Sequence, residues 1–500
     1  MKTRRRSPVL SALAVLAVAA ACRREAPRAP SAAPKPPKGD VIWLTDPAAI
    51  RDDGLDASLE PIGAAAVFVE AGRLGAAAGP DAFRGSAPPS KPLRVPVVLV
   101  IEPDASLETA WSAAAGPDPD PLARAAGTAL SRAVSDGAYG RIVGAHLDFA
   151  FAPAGAARYA AFVAELKHSL PPGVFVSISL RSLPSSEEDR KKVAPLLEAA
   201  DALLAVVFGV GARLDPIATD ALHRPWWAGY DTRATGRALA AGSEPPAEVP
   251  ERLIEPLSGS PRFDFENDLS VDDGAIWAFT LTARSPVRQD GLVLQPGDRL
   301  AFRLPAISEM LFQLGSNMAG KRWALGRALL FGGASETERL FQLAAFADVL
   351  LGRALSPSLE ASVHPAGRNA IAVELANRSA HASTASRVDN WVEIDLAPAH
   401  PADVQVGGFD RYEVYDAAGR PVTPGRATVV RLFETLIAPH EIVTPARIVA
   451  RGALPKACCR YRVHAVAAAG PEVAGDWIEP APPPEPARPA SRSGPKAKRG

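Results

Sequence analysis

Cysteine is scarce in this 500-residue chain: there are three, Cys22, Cys458 and Cys459. So large a protein with so few cannot rest on a disulfide framework. Cys458 and Cys459 are neighbours, and on a strand their side chains would point to opposite faces. A bridge between them would demand strained geometry, so they read as two unpaired packing thiols. Charge of one sign is not in excess either, since Lys plus Arg number 55 and Asp plus Glu 55. That balance excludes the basic field of a nucleic-acid partner. Long apolar runs are missing after the N-terminus, which argues against an integral membrane protein. No HExxH, Gly-x-Ser-x-Gly, Walker or dinucleotide fingerprint occurs. Gly209-Val210-Gly211 lacks the third glycine and the helix start that such a fingerprint needs. The acids Asp264, Glu266, Asp268, Asp272 and Asp273 lack the spacing and glycine of an EF-hand, and read as a solvated loop. Neither a metal nor a cofactor is expected.

The N-terminus is more telling. Lys2, Arg4, Arg5 and Arg6 precede a short apolar run, Val9 to Ala21, that is too short to span a bilayer and reads as an export signal. Cys22 follows Ala19-Ala20-Ala21 directly, and this resembles a bacterial lipobox. The resemblance implies lipidation at Cys22 and a membrane partner through that anchor. Arg23 does not resemble an inner-membrane retention signal, so the outer membrane is expected, facing the periplasm or the cell surface. Residues 23–39 are a proline- and alanine-rich tether, extended at about 3 Å per residue.

From Asp40 onward apolar strand runs alternate with helical patterns. They end at Asp46, Glu70, Glu102, Asp148, Arg181, Gly211, Asp231 and Gly332, which makes eight strands. After the fourth, Tyr159, Phe162, Val163, Leu166 and Leu170 repeat at helical spacing, and Pro171-Pro172-Gly173 stops the helix. Ser185 with Glu188, and Ser335 with Glu338, form capping boxes. Pro195 should kink or split the helix it falls in. Alternation of this kind predicts an α/β TIM-like (β/α)8 barrel over 40–355. It is interrupted by an insertion at about 232–327, in which runs 276–283 and 292–304 pair across a Gln-Asp-Gly turn. Past Ala354 the helical period vanishes. Seven short alternating runs with Pro, Gly and Asn between them predict a C-terminal β-sandwich over 356–470. Residues 471–500 form a proline-rich, basic tail expected to be disordered.

The chain is organised around Ile142-Val143-Gly144-Ala145-His146-Leu147-Asp148-Phe149, an apolar strand carrying one carboxylate at its end. With Tyr159, Phe162, Leu170-Pro171, Ser177-Ile178-Ser179 and Ala202 to Gly211, it resembles a bacterial family known as domain of unknown function 3142, whose members look like glycoside-hydrolase barrels and lipoproteins. That family usually carries Gly-x-Gln-x-Asp-x-Asp on this strand. Here His146 stands in the glutamine position and Ala150 in that of the second aspartate. The resemblance covers about a seventh of the chain and implies a glycosidase-like fold far more strongly than an activity.

Barrel sites lie at the C-terminal ends of strands, and glycosidases commonly need two carboxylates across the scissile bond. Asp148, Glu102, Glu70 and Asp231 are therefore the candidate catalytic acids, although aspartate at such positions also simply caps loops and helices. Trp226, Trp227 and Tyr230 could stack on a sugar or fill the core. Arg181 could hold an anionic group or pair with Asp148. His146 points the way Asp148 does, as a substrate contact or a hydrogen-bonded core histidine. The expected function is to bind or process a cell-envelope or extracellular glycan. The alternative is a non-catalytic binding or scaffolding lipoprotein with a degenerate barrel, which Ala150 favours.

Overall fold

The computed structural model describes residues 35–479, apart from 46–54, 78–79, 113–117, 151–152, 183–185, 209–213, 240–246, 268–275, 306–310, 313–314, 317, 332–341, 354–355, 455–457 and 467–471. The expectations for Cys22, most of the tether, Asp46, Ser185, Gly211, Asp268, Asp272, Asp273, Gly332, the second capping box and the tail beyond Glu479 lie outside these residues.

Eight parallel strands close on themselves. They are Val41–Leu44, Ala66–Leu74, Leu93–Pro103, Gly140–Leu147, Phe175–Leu180, Ala202–Phe208, Trp226–Asp231 and Ala324–Phe331, each hydrogen-bonded to the next in that order. Val41 pairs with Ala66 on one side and Ala328 on the other, so the first strand completes the ring. The sequence dictates closure at Gly326, where a side chain would place its Cβ 2.0 Å from the Gly39 carbonyl oxygen. Helices Pro119–Asp136, Ala156–Ser169 and Glu187–Ala199 cover the outside. Alternation of side chains about each strand makes two cores. Val41, Trp43, Phe68, Val98, Val100, Phe175, Leu204, Trp227 and Ala328 fill the barrel. Residues of the other parity, among them Val69, Leu99, Leu147, Ile178 and Trp226, pack outward with the helices.

Some local expectations shift. The helix Glu187–Ala199 is capped by Ser186, whose hydroxyl accepts from Asp189 N, one residue later than anticipated. It also continues through Pro195, neither split nor ended there. That proline is on the solvent side, where water can take up the carbonyl left without a donor. The strands bearing Glu70 and Glu102 run beyond those residues, because a bulge between Glu70 and Gly72 keeps them paired as far as Leu74 and Pro103.

In the insertion, Ile276–Ala283 pairs with Arg299–Pro305 inside a five-stranded antiparallel sheet. The Gln-Asp-Gly turn instead closes a separate hairpin, Val287–Gln289 with Leu292–Leu294, with Asp290 and Gly291 both at positive φ. This is the two-residue turn that such a pair favours. Phe263, Phe279, Leu281, Leu300 and Phe302 of the insertion share the outer core of the barrel.

The C-terminal region holds a four-stranded and a five-stranded antiparallel sheet. Val373, Leu375 and Ile448 of one face Val392, Ile394, Val430 and Leu432 of the other across a common apolar layer, the arrangement of a sandwich. Two strands beyond the expected seven, Pro401–Gln405 and Glu472–Ala474, lie at sheet edges, and the second corrects the expectation of disorder from residue 471, because it pairs with His464–Val466. Ala382, Ala385 and Leu436 of this region join the core of the barrel, so the two parts share buried apolar surface. Cys458 and Cys459 are joined in a vicinal disulfide, contrary to the expectation of free thiols. They lie before the strand Tyr461–Val466, where the strand alternation behind that expectation does not apply. No helix among the described residues is long and apolar enough to cross a membrane.

Candidate active site at the barrel mouth

The site follows from parity. On the second strand Ala66 and Phe68 point into the barrel, and the next inward position is Glu70. The same count leads from Val98 and Val100 to Glu102, from His146 to Asp148, from Phe175, Ser177 and Ser179 to Arg181, and from Trp227 to Asp231. Five strands thus change from apolar to charged at their C-terminal ends. The interior below is filled, and what lies above is the mouth.

Each carboxylate has an arginine. Arg181 donates through Nη2 to both oxygens of Asp148, at 3.0 and 2.8 Å. Arg73 bridges Glu70 at 3.5 Å and Glu102 at 3.3 Å, and Ser86 Oγ donates to Glu70 at 3.0 Å. Asp231 accepts from the backbone N and Nε of Arg233 at 3.1 and 2.9 Å. Arg73, Arg233 and Ser86 were not anticipated. The only trace of the first two is position, three residues after Glu70 across the bulge and two after Asp231.

Glu70, Glu102 and Asp148 are brought together. Burial pushes the carboxyl of Glu102 above its usual range, and the charges of Glu70 and Asp148 push it the same way, against the opposing pull of Arg73 and Arg181. Asp231 belongs to the neighbouring arc of the mouth, joined to the first through Arg233, whose charge reaches Arg181. Glu248 and Glu251 of the insertion also act on Arg233, so the insertion flanks the mouth on that side. A tight recess lined by Leu107, Glu108, Trp111, Phe149, Ala150 and Tyr159 opens just past the end of the strand Gly140–Leu147.

Two expectations are overturned. Trp226, Trp227 and Tyr230 are fully buried and cannot stack on a sugar. Trp226 and Tyr230 face the outer core, while Trp227 fills the interior against Phe68 and Phe175, at ring separations of 5.7 and 6.0 Å. His146 is not a substrate contact, because it is 0% exposed, one layer below Asp148. Its Nδ1 lies 2.9 Å from Ser177 Oγ and its Nε2 3.0 Å from Ser179 Oγ, with Trp43 and Phe68 set edge-on around the ring. This is the hydrogen-bonded core histidine of the sequence reading.

Burial lowers the pKa of His146 to about 4, Asp148 opposing this and Arg181 adding to it. Because the folded pKa is depressed, the unfolded chain binds the extra proton first. The stability His146 contributes is complete above about pH 6.5 and drains away as pH falls towards 4, about 3 kcal/mol in all. In His146→Gln the amide can still face both serines but does not titrate. The stability difference between the two proteins, from urea midpoints, should therefore shift in favour of the glutamine variant as pH drops through that window. A difference that does not vary with pH would disprove the assignment.

No family model matches the chain, and no curated protein matches it. Among solved structures it is similar to the spore cortex-lytic enzyme SleL of Bacillus megaterium QM B1551 (14% identity, TM-score 0.38, covering 63% of this chain and 73% of that one). It is also similar to a chitinase from Bacteroides thetaiotaomicron (10% identity, TM-score 0.31, 63% and 96%) and to SpGH29 (11% identity, TM-score 0.22, 85% and 99%).

Proposed function

We propose that this protein is an exported lipoprotein of the domain-of-unknown-function 3142 family, and that its barrel mouth binds or processes a cell-envelope or extracellular glycan. The observation that carries the reading is Glu102. It is a carboxyl whose pKa is raised by burial and by two flanking carboxylates, at the C-terminal end of the strands of a (β/α)8 barrel. A carboxyl of raised pKa near a second carboxyl is the pairing from which glycosidases draw an acid and a base or nucleophile. Glu102 would protonate the leaving oxygen, and Asp148 or Glu70 would serve the opposite side as base or nucleophile. Arg73 and Arg181 hold those acids in place, and with Arg233 they would accept hydroxyl or anionic groups of the ligand.

A non-catalytic glycan-binding protein is the second reading. It is favoured by the arginine on every mouth carboxylate and by the missing acid at Ala150. Incubation of the full chain with envelope and extracellular polysaccharides, beside a glycan array, separates the readings. Cleavage products support the first, binding without products the second, and neither outcome on any glycan sinks both.

The anchor is tested independently. Cys22→Ala should leave the protein unlipidated and move it from the membrane to the soluble fraction, since acyl chains supply the attachment. Unchanged mass and unchanged sedimentation with membranes would refute lipidation.

A further inference from the structure

A second group of acids lies away from the mouth, where the barrel insertion meets the sandwich. Glu255 is on the short helix Ile254–Gly259 of the insertion, Glu434 follows the strand Val429–Phe433, and Glu441 precedes the strand Ile442–Ala450. One carboxylate oxygen from each lies within 4.8 Å of the other two. Glu434 is 2% exposed, and its Oε2 is buried with no hydrogen-bond partner although the carboxylate is turned into the group. Asp410 stands beside them, within hydrogen-bonding reach of the Glu434 carboxyl, and accepts from Thr435 N at 2.6 Å. It comes so close to the insertion helix that a Cβ on Gly259 would lie 1.9 Å from its Oδ1.

The nearby arginines act on Asp410 but make their hydrogen bonds with other groups. Arg387 donates to the carbonyls of Ser260 and Phe263, and Arg411 bonds Glu413 and the Arg387 carbonyl while stacking on Phe433. Among the described residues, Glu255, Glu434 and Glu441 form no ion pair. Glu441 receives one backbone donor, Ala438 N at 2.7 Å. Burial drives all three carboxyls up, to about 7 for Glu255, about 11 for Glu434 and about 8 for Glu441, and each is raised further by the acids around it. Unpaired buried carboxylates are costly, and like charges set side by side add repulsion to that cost.

We propose that Glu255, Glu434 and Glu441, with Asp410 behind them, bind a calcium ion that joins the barrel insertion to the sandwich. The donor set is oxygen only, with no imidazole or thiolate, which selects a hard cation over zinc or copper. Calcium tolerates irregular carboxylate cages of six to eight oxygens, whereas magnesium demands a compact octahedron. The ion would supply the positive charge that Glu434 lacks, and its loss would loosen the joint between insertion and sandwich. None of this depends on the glycan reading of the mouth.

The test uses the full chain stripped with a chelator and then titrated with calcium chloride, by calorimetry and by thermal melting. One ion per chain and a rise in Tm are expected. Glu434→Gln, which keeps shape and removes charge, should weaken binding by at least about tenfold and abolish the rise in Tm. Glu255→Gln, on the insertion side and less buried, should weaken it too, and serves if Glu434→Gln does not fold. A wild-type chain that shows neither heat nor a Tm shift in millimolar calcium overturns the proposal. So does a response that both variants retain in full, or a Glu434→Gln melt that simply rises without any calcium response in the wild type, since protons alone would then occupy the cluster.

Discussion

Glutamine in place of Glu102 should lower turnover of a cleavable glycan by about 10²–10⁴-fold while leaving its binding nearly unchanged, because the amide keeps the shape and loses the proton. The acid works only while protonated. Since burial and the neighbouring acids raise its pKa, wild-type activity should persist above the usual carboxyl range and fall as pH rises through that raised value. The variant should lose this alkaline limb along with the rate. Asp148→Asn is the companion. Asp148 is 13% exposed, but its partner Arg181 is 54% exposed and stays solvated when the pair is broken. The stability cost should therefore stay within about 1 kcal/mol, as for exposed pairs, and not the 3 kcal/mol or more of a stranded buried charge. Glycan turnover or affinity should fall sharply. If Asp148→Asn lowers Tm steeply and leaves the ligand bound as before, the carboxylate is structural and the mouth has been misassigned. A wild type that binds without cleaving, with Glu102→Gln indistinguishable from it, would establish the non-catalytic reading.

The second large effect concerns stability. Trp227→Ala should cost about 3–5 kcal/mol, read from denaturant midpoints, with about the same cost whether or not a glycan is present. Trp227 is among the largest fully buried side chains, and it plugs the barrel between Phe68 and Phe175. Removing it leaves a cavity bounded by a closed ring of strands, which cannot collapse inward without breaking backbone pairing. Trp227→Phe should cost much less. It restores most of the volume and removes an indole N–H that is buried without a partner. The opposite pattern, with stability intact and affinity for sugar lost on Trp227→Ala, would return this residue to the mouth as a stacking platform.

The two roles that the sequence leaves open for Trp227 show where legibility stops. The period of apolar and helical segments was enough to mark eight parallel strands, an insertion before the last of them and a sandwich after them, because burial on both faces leaves near-continuous apolar runs that local sequence cannot disguise. The same strand-end reading put Glu70, Glu102, Asp148, Arg181 and Asp231 at the mouth, since period-2 alternation needs only a strand direction to separate its two faces. The same alternation, counted back from Asp231, sets Tyr230 and Trp226 on the outer face, but it could not say how far below the rim Trp227 lies. That depends on how far the strand extends beyond its neighbours, which the shared register with Ala202–Phe208 and Ala324–Phe331 decides. The arginine partners were likewise out of reach. Arg73 meets Glu102 only because a bulge at Glu70–Gly72 carries the second strand one step further along the third. Least legible was the cluster of Glu255, Glu434 and Glu441. Its members are separated by up to 186 positions in the chain, and each alone looks like an ordinary surface acid. Only the docking of the insertion helix against the sandwich withdraws them from water and sets their like charges side by side.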